Sequence, residues 1–370
     1  MKIGILTFHF PENKNFGASV QSYAVYKMIE NLGYDVELID FNLVKATVNS
    51  LIRRVILLKE FQDRIEGKNF FKYSKKFLKK SKFSFFSSEL KKLNKKYEYF
   101  VVGSDQVWRA IWFKKVAKHY FFDFVNDDKK KIAYAASFGV DCWEGDEKLT
   151  EEIKPLIRRF NHISVREESG IDICKNTFGI DNAVCVLDPT LMISREDYQP
   201  ILDDWQDKSH LKKKYIAHML LDDTVELKKE SQNIADYLKS DINYIKGKEI
   251  KILKKELKLF GRKLLKYNKV SQWLTYLKDA ELVITDSFHC TVFSLIFHKK
   301  FVVVANPVRG VARLETLLGK VGLQDRFFTD IKDVMKSGIL DKEIDYNEVD
   351  KKLEVHRKYS MDFLKKALED

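Results

Sequence analysis

The sequence predicts an α/β protein built from two Rossmann-like domains facing a cleft. Three observations predict it. Short apolar runs alternate with stretches whose apolar residues recur at helical spacing, over most of the chain. The alternation opens as strand, loop, helix, strand, the unit of a parallel doubly wound sheet. A length of 370 residues, at about 150 per domain, suggests two or three domains, room for two such units.

The elements follow in order. Residues 2–8 (Lys-Ile-Gly-Ile-Leu-Thr-Phe) read as a buried strand, and a polar loop with Pro11, Asn13, Asn15 and Gly17 comes next. From Ala18 to Leu32, the residues Val20, Ala24, Val25, Met28, Ile29 and Leu32 fall on one helical face, and Gly33 ends the helix as a cap. Residues 35–40 form a second strand. A basic segment, 45–97, then interrupts the pattern. Strands follow at 99–102, 131–136, 162–165 and 183–187, with helices at 149–160 and 167–177 between them, and Asp188-Pro189 closes this half. The second half repeats the alternation. Strands are expected at 215–220, 242–245, 282–285 and 301–304, and helices near 223–239, 271–279, 290–298 and 313–321. An amphipathic helix at 347–369 ends the chain. The expected domains are 1–190 and 191–345, with 346–370 packing back on the first.

Composition narrows the class. Apolar residues make up 45% and aromatics 13%, enough for full cores and too much for a disordered chain. The net charge is +12, but the segment 45–97 alone holds 16 Lys+Arg against 4 Asp+Glu. The remainder is therefore neutral, which argues against a general nucleic-acid binder and leaves a local anionic partner. Cys142, Cys174, Cys185 and Cys290 form no C-x-x-C pair and no zinc spacing. No run of 18 apolar residues occurs, and the first ten residues lack a signal-peptide pattern, so a soluble cytoplasmic protein is expected.

In doubly wound sheets ligands sit at the carboxyl ends of strands, so those ends come first. Asn15-Phe16-Gly17-Ala18-Ser19 opens a helix: either backbone N–H groups approach an anion there, or Asn15 is a plain N-cap. Gly103-Ser104-Asp105-Gln106-Val107-Trp108 reads as a substrate-hydroxyl or loop-ordering site, or as an Asx-type turn with Trp108 anchored in the core. Arg166 follows a strand; its fork suits a phosphate or carboxylate, or pairs with Glu167 or Glu168. Thr285-Asp286-Ser287-Phe288-His289 is the sharpest: His289 lies at a helix start and reads as a general acid or base, or as an imidazole bonded to nearby backbone. His298, at the other end of that helix, is explained by the helix dipole. Arg309 and Arg313 could add positive charge to the same rim. No G-x-G-x-x-G, Walker A, G-x-S-x-G or D-x-D pattern occurs, so no nucleotide cofactor or metal site is indicated.

Taken in order, these motifs resemble the polysaccharide pyruvyl transferase family across residues 3–325. The resemblance rests on Gly4-Ile5-Leu6-Thr7, Asn15-Phe16-Gly17-Ala18, Gln21-Ser22-Tyr23-Ala24, Val102 to Trp108, Tyr134 to Gly139, Ser164-Val165-Arg166-Glu167, Leu187-Asp188-Pro189-Thr190, Thr285 to His289, and Arg313-Leu314. It implies a GT-B-like fold and transfer of the pyruvyl unit of phosphoenolpyruvate onto two hydroxyls of a sugar, giving a cyclic ketal and phosphate, with no cofactor. It implies His289 and Arg166 as catalytic residues and Arg166, Ser287, Arg309 and Arg313 as donor-binding residues. Asn15, Gly17, Ser104 and Asp105 are expected at the acceptor or an ordering loop. The chain departs from the pattern where many members have Ser-Arg-x-His and it has Asp286-Ser287-Phe288-His289, which places it in a divergent branch.

The acceptor implied is a sugar of a surface or capsular polysaccharide, or its lipid-diphosphate-linked precursor. That gives the basic segment a second reading. Phe70, Phe71, Tyr73 and Phe77 interleave with Lys68, Lys72, Lys75, Lys76, Lys79 and Lys80. The segment is either a solvated insertion packed on the domain or a peripheral contact with anionic lipid at the inner membrane face. Two rival functions stand beside the transferase: a GT-B glycosyltransferase using a nucleotide sugar, and a non-enzymatic protein that binds anionic surfaces.

Overall fold

The computed structural model describes residues 1–41, 66–84, 87–112, 117–207, 209, 213–222, 224–250 and 264–370. The first half forms a parallel sheet in the order β2-β1-β3-β4-β5-β6. Its strands are β1 (Lys2–Leu6), β2 (Asp35–Leu38), β3 (Tyr99–Val102), β4 (Lys130–Ala136), β5 (His162–Val165) and β6 (Val184–Cys185). Helices α1 (Phe16–Glu30), α2 (Lys68–Phe77), α3 (Glu147–Ile157) and α4 (Glu168–Phe178) pack on it. The strands are buried almost end to end, as expected where helices cover both faces.

The second half forms a parallel sheet in the order β13-β12-β11-β7-β8. Here β7 is Tyr215–Met219, β8 Asp241–Tyr244, β11 Leu282–Thr285, β12 Lys300–Val304 and β13 Phe327–Phe328. An antiparallel pair, β9 (Gly247–Ile250) and β10 (Leu264–Tyr267), stands apart from both sheets. Helices α5 (Val225–Leu238), α6 (Val270–Asp279), α7 (Phe288–Ile296) and α8 (Ala312–Val321) complete this half. The long helix α9 (Tyr346–Glu369) returns to the first sheet. There Ser360 Oγ accepts from the Leu187 amide at 2.9 Å, and Arg357 Nε donates to the Leu191 carbonyl at 2.8 Å.

Each sheet reverses its strand order at one point, and a crevice opens there. In the first sheet the point lies between β1 and β3; in the second, between β7 and β11. The halves are joined by apolar packing. Phe16, at the start of α1, stacks on Trp273 of α6 at 5.2 Å between ring centroids.

Several expectations change. The first helix begins at Phe16, not Ala18, and ends at Glu30, so Gly33 (φ +89°) lies in the turn after it. The strand expected at 183–187 is only Val184–Cys185. The helix expected at 290–298 starts at Phe288 and ends at Ile296. His298 therefore lies outside it, stacked on Tyr346 at 4.4 Å and 3.1 Å from an Asp350 carboxylate oxygen. The β9–β10 pair was not expected.

The basic segment falls partly outside the described residues, at 45–65 and 85–86. Within them, α2 is helical as the spacing predicts, but its aromatic stripe does not face outward. Phe70 and Tyr73 are buried; Phe70 packs against Phe16 at 4.9 Å, and Tyr73 donates to the Ser19 carbonyl at 3.1 Å. Lys76 pairs with Asp204, Lys79 with Asp35 and Lys80 with Asp40. The stripe is core, so Phe70 and Tyr73 form no membrane-facing surface. No helix among the described residues is long and apolar enough to cross a membrane.

Candidate active site

Strand ends of both sheets deliver side chains to one point. After β5 comes Arg166, after β6 comes Asp188, after β3 come Ser104 and Asp105, and after β11 comes the start of α7 with His289. The centre is a carboxylate. Asp188 is buried; its Oδ2 accepts from Ser104 Oγ at 2.8 Å and from Arg166 Nη1 at 2.9 Å, and lies 3.7 Å from His289 Nε2. Its Oδ1 accepts from the Thr190 amide at 3.0 Å. Burial alone pushes this carboxyl up, but His289, Arg166 and Thr190 outweigh it and hold it well below the usual carboxylate range.

Arg166 is 4% exposed, and its guanidinium lies 4.3 Å from the centroid of the Phe288 ring. Its Nη2 is 3.8 Å from Asp105 Oδ1. The Nε of Arg166 and the Nε2 of His289 are buried without a hydrogen-bond partner, as is Glu167 Oε2. Such atoms are rare in a folded interior and mark a place where the protein carries unspent polar capacity.

Gly17 explains the closeness of the two helix starts. A Cβ on it would stand 2.3 Å from His289 Nδ1, inside van der Waals contact. The first turns of α1 and α7 thus meet, and with them the positive ends of two helix dipoles.

Arg313 is buried beside this group. Its Nη1 donates to the carbonyls of Gly139 at 3.2 Å and Arg309 at 2.9 Å. Burial, then the charge of Arg166, lowers its pKa to about 10, so it remains a cation at neutral pH. Arg109 donates from Nη1 to Gln106 Oε1 at 3.2 Å and to the Arg309 carbonyl at 3.3 Å, and its Nε to Glu144 at 3.1 Å.

The expected residues divide accordingly. His289, Arg166, Ser104 and Asp105 come together around Asp188, and Gly17 touches His289. Ser104 Oγ donates to Asp188, and Asp105 lies 3.8 Å from Arg166. Arg166 does not pair with Glu167 or Glu168: Glu167 Oε1 accepts from Ser137 Oγ and the amides of Phe138 and Gly139, and Glu168 pairs with Lys320. Asn15 is the N-cap of α1, accepting from the Ala18 amide at 3.1 Å. Ser287 is the N-cap residue of α7 but makes no side-chain cap bond. Arg309 turns away to a bidentate pair with Asp222 at 2.7 and 2.9 Å, so its guanidinium is engaged by a carboxylate. Trp108 is a core anchor, stacked on Phe121 at 5.0 Å. Asp188, read from the sequence as a turn that closes the first half, is the centre of the group, three residues beyond the end of β6.

The family described as polysaccharide pyruvyl transferase matches residues 15–307 of the chain. No curated protein matches it in sequence. Among solved structures, the S. aureus MnaA–UDP co-structure superposes with a TM-score of 0.50 at 12% identity, covering 94% of this chain and 90% of that one. A Listeria monocytogenes protein described as a UDP-N-acetylglucosamine 2-epimerase gives 0.49 at 10% identity, covering 95% and 90%. A glycotransferase of kitacinnamycin gives 0.49 at 11% identity, covering 99% and 98%. The first of these is a likeness of fold alone, two Rossmann-like domains.

Proposed function

The chain belongs to the polysaccharide pyruvyl transferase family, and from that premise we propose that it transfers the pyruvyl unit of phosphoenolpyruvate to two hydroxyls of a sugar in a surface or capsular polysaccharide, or in its lipid-linked precursor. The observation that carries the reading is the buried Arg166–Asp188–His289 group at the meeting of two helix starts. It suits the donor's demands. Phosphoenolpyruvate brings a carboxylate and a phosphate, which need cations and N–H donors. Arg166, Arg313 and the first turns of α1 and α7 supply them.

The reaction protonates carbon-3 to a methyl group, while carbon-2 gains cationic character and takes the first sugar hydroxyl. The second hydroxyl then displaces phosphate, closing the ketal. One group that both takes and gives a proton is enough. His289 fills that role. Its Nε2 is turned to the Asp188 carboxylate, which orients the ring for that exchange. The 3.7 Å separation is too long for a hydrogen bond; such contacts tighten when substrate binds. Arg166 holds Asp188 ionised and faces the donor.

The test is phosphate release and ketal formation from phosphoenolpyruvate and an acceptor glycan. Wild-type protein is expected to release one phosphate per ketal, and His289→Gln to lose the activity. Thermal stabilisation by nucleotide sugars but not by phosphoenolpyruvate would overturn the reading in favour of a glycosyltransferase.

A further inference from the structure

A second site lies at the strand reversal of the other sheet. Beyond the carboxyl ends of β7, β11 and β12 is a cavity of about 450 Å³, within the range of small-molecule sites. Its apolar walls are Leu220, Leu227, Val304 and Ile331. Four carboxylates also line it: Asp222, Glu226, Asp286 and Asp330. Lys332 is the one lining cation and pairs with Glu226, while Arg309 beside the cavity pairs with Asp222.

The carboxylates are arranged, not scattered. Asp286 is 4% exposed; its Oδ1 accepts from the Leu221 amide at 2.8 Å and its Oδ2 from Asn306 Nδ2 at 2.8 Å. The same Asn306 amide reaches Asp222 Oδ2 at 2.9 Å. Among the described residues, no three such side chains are grouped to hold a metal ion.

The charge decides the ligand. With Asp222 and Glu226 paired, Asp286 and Asp330 leave the lining acidic, and the roughly half positive charge at the start of α5 does not offset both. A phosphate or a second carboxylate is repelled here. A neutral polyol is not: carboxylates only accept hydrogen bonds, and sugar hydroxyls donate them. The C–H face of a sugar ring packs on aliphatic walls. An amino sugar gains further from the charge. Asp286 follows β11 and stands three residues before His289, which lies in the first turn of α7, so the cavity and the proton-transfer group belong to the same strand-to-helix connection.

We propose that this cavity is the acceptor subsite and takes an uncharged or amino sugar residue, while the donor anion stays at Arg166 and His289. The proposal rests on the transferase reading for the word acceptor, but the binding it states can be measured alone. Binding of methyl glycosides of hexoses and N-acetylhexosamines, of phosphoenolpyruvate and of uridine diphosphate is measured by calorimetry. Wild-type protein is compared with Ala305→Trp, which fills the cavity from a lining position. At least one glycoside is expected to bind wild-type protein, and Ala305→Trp to weaken it about tenfold or more, the scale of a lost charge-assisted hydrogen bond. Phosphoenolpyruvate binding is expected to stay within about twofold. Asp330→Ala, at the exposed rim, guards against misfolding of the Trp variant and is expected to weaken the same glycoside. The proposal is overturned if no glycoside binds, if neither variant weakens it, or if the Trp variant abolishes phosphoenolpyruvate or uridine diphosphate binding instead. Failure of phosphoenolpyruvate to bind wild-type protein, with glycoside binding intact and blocked by Ala305→Trp, would sink the donor assignment and leave the cavity's sugar specificity standing.

Discussion

The Asp188 cluster and the Asp222 cavity use the same residue types under opposite conditions. Around Asp188 one carboxylate is surrounded by Arg166, His289, Ser104 and Thr190, and it is sealed from water. Around Asp222 several carboxylates share few cations at an open rim, and the Asp222–Arg309 pair is half-exposed. Buried charges are costly unless every partner is present, so the first region is intolerant of single changes. Exposed charges are screened, so the second is tolerant, and its sign is free to select a ligand. The comparison predicts a ladder of effects.

The largest falls on chemistry. His289→Gln keeps a buried polar side chain of similar reach but cannot shuttle a proton. Turnover is expected to fall by about 10²- to 10⁴-fold. A variant that transfers pyruvyl groups at the wild-type rate would remove His289 from the mechanism.

Stability comes next. Arg166→Met removes one partner and leaves Asp188 buried with a weakened counter-charge. Denaturant titration is expected to show a loss of about 3–5 kcal/mol. Arg166→Met with Asp188→Leu, which removes both charges, is expected to recover part of that loss. If the double variant is less stable than the sum of the single ones, Arg166 and Asp188 do not act as a pair.

Gly17→Ala should cost less, since it changes only space. Its Cβ meets His289 Nδ1 at 2.3 Å, and a ring or helix must shift. Overpacking of this kind costs about 1–3 kcal/mol. Turnover is expected to fall further than stability implies, because the displaced group is His289. Unchanged turnover in Gly17→Ala would mean that the two helix starts need not meet.

How legible the two regions were differs for a physical reason. The alternation of apolar runs and helical stretches gave both sheets, because burial on two faces leaves a local signature. Tyr99–Val102, His162–Val165 and Leu282–Thr285 lie where the pattern puts them. Arg166 and His289 were visible for a related reason: one directly follows β5 and the other opens the helix after β11. Asp188 was not, since its meaning comes from partners 22 and 101 positions away, a tertiary fact with no local pattern. The α2 stripe shows the same limit. Periodicity announced an apolar face on Phe70 and Tyr73 but not that Phe16 and the Ser19 carbonyl would cover it. The cavity was invisible because Asp222 and Asp286, one after each of two strands, become neighbours only when β7 pairs with β11.

The smallest effect tests the tolerant side. Arg309 and Asn306, against a lesser burial penalty, hold the Asp222 carboxyl at about 2, below its unfolded value of about 3.9. A depressed carboxyl stabilises the fold above the unfolded value, and that contribution is lost as pH falls through the folded one. Stability owed to Asp222 is therefore intact at neutral pH and disappears between about pH 4 and pH 2. Because the pair is exposed, Asp222→Asn is expected to cost less than about 1 kcal/mol at pH 7, and less again in high salt. The difference between wild type and variant should vanish near pH 2. A cost equal to that of Arg166→Met, or one that salt does not reduce, would show that Asp222 is held as tightly as Asp188. The contrast between a sealed cluster and a screened rim would then fail.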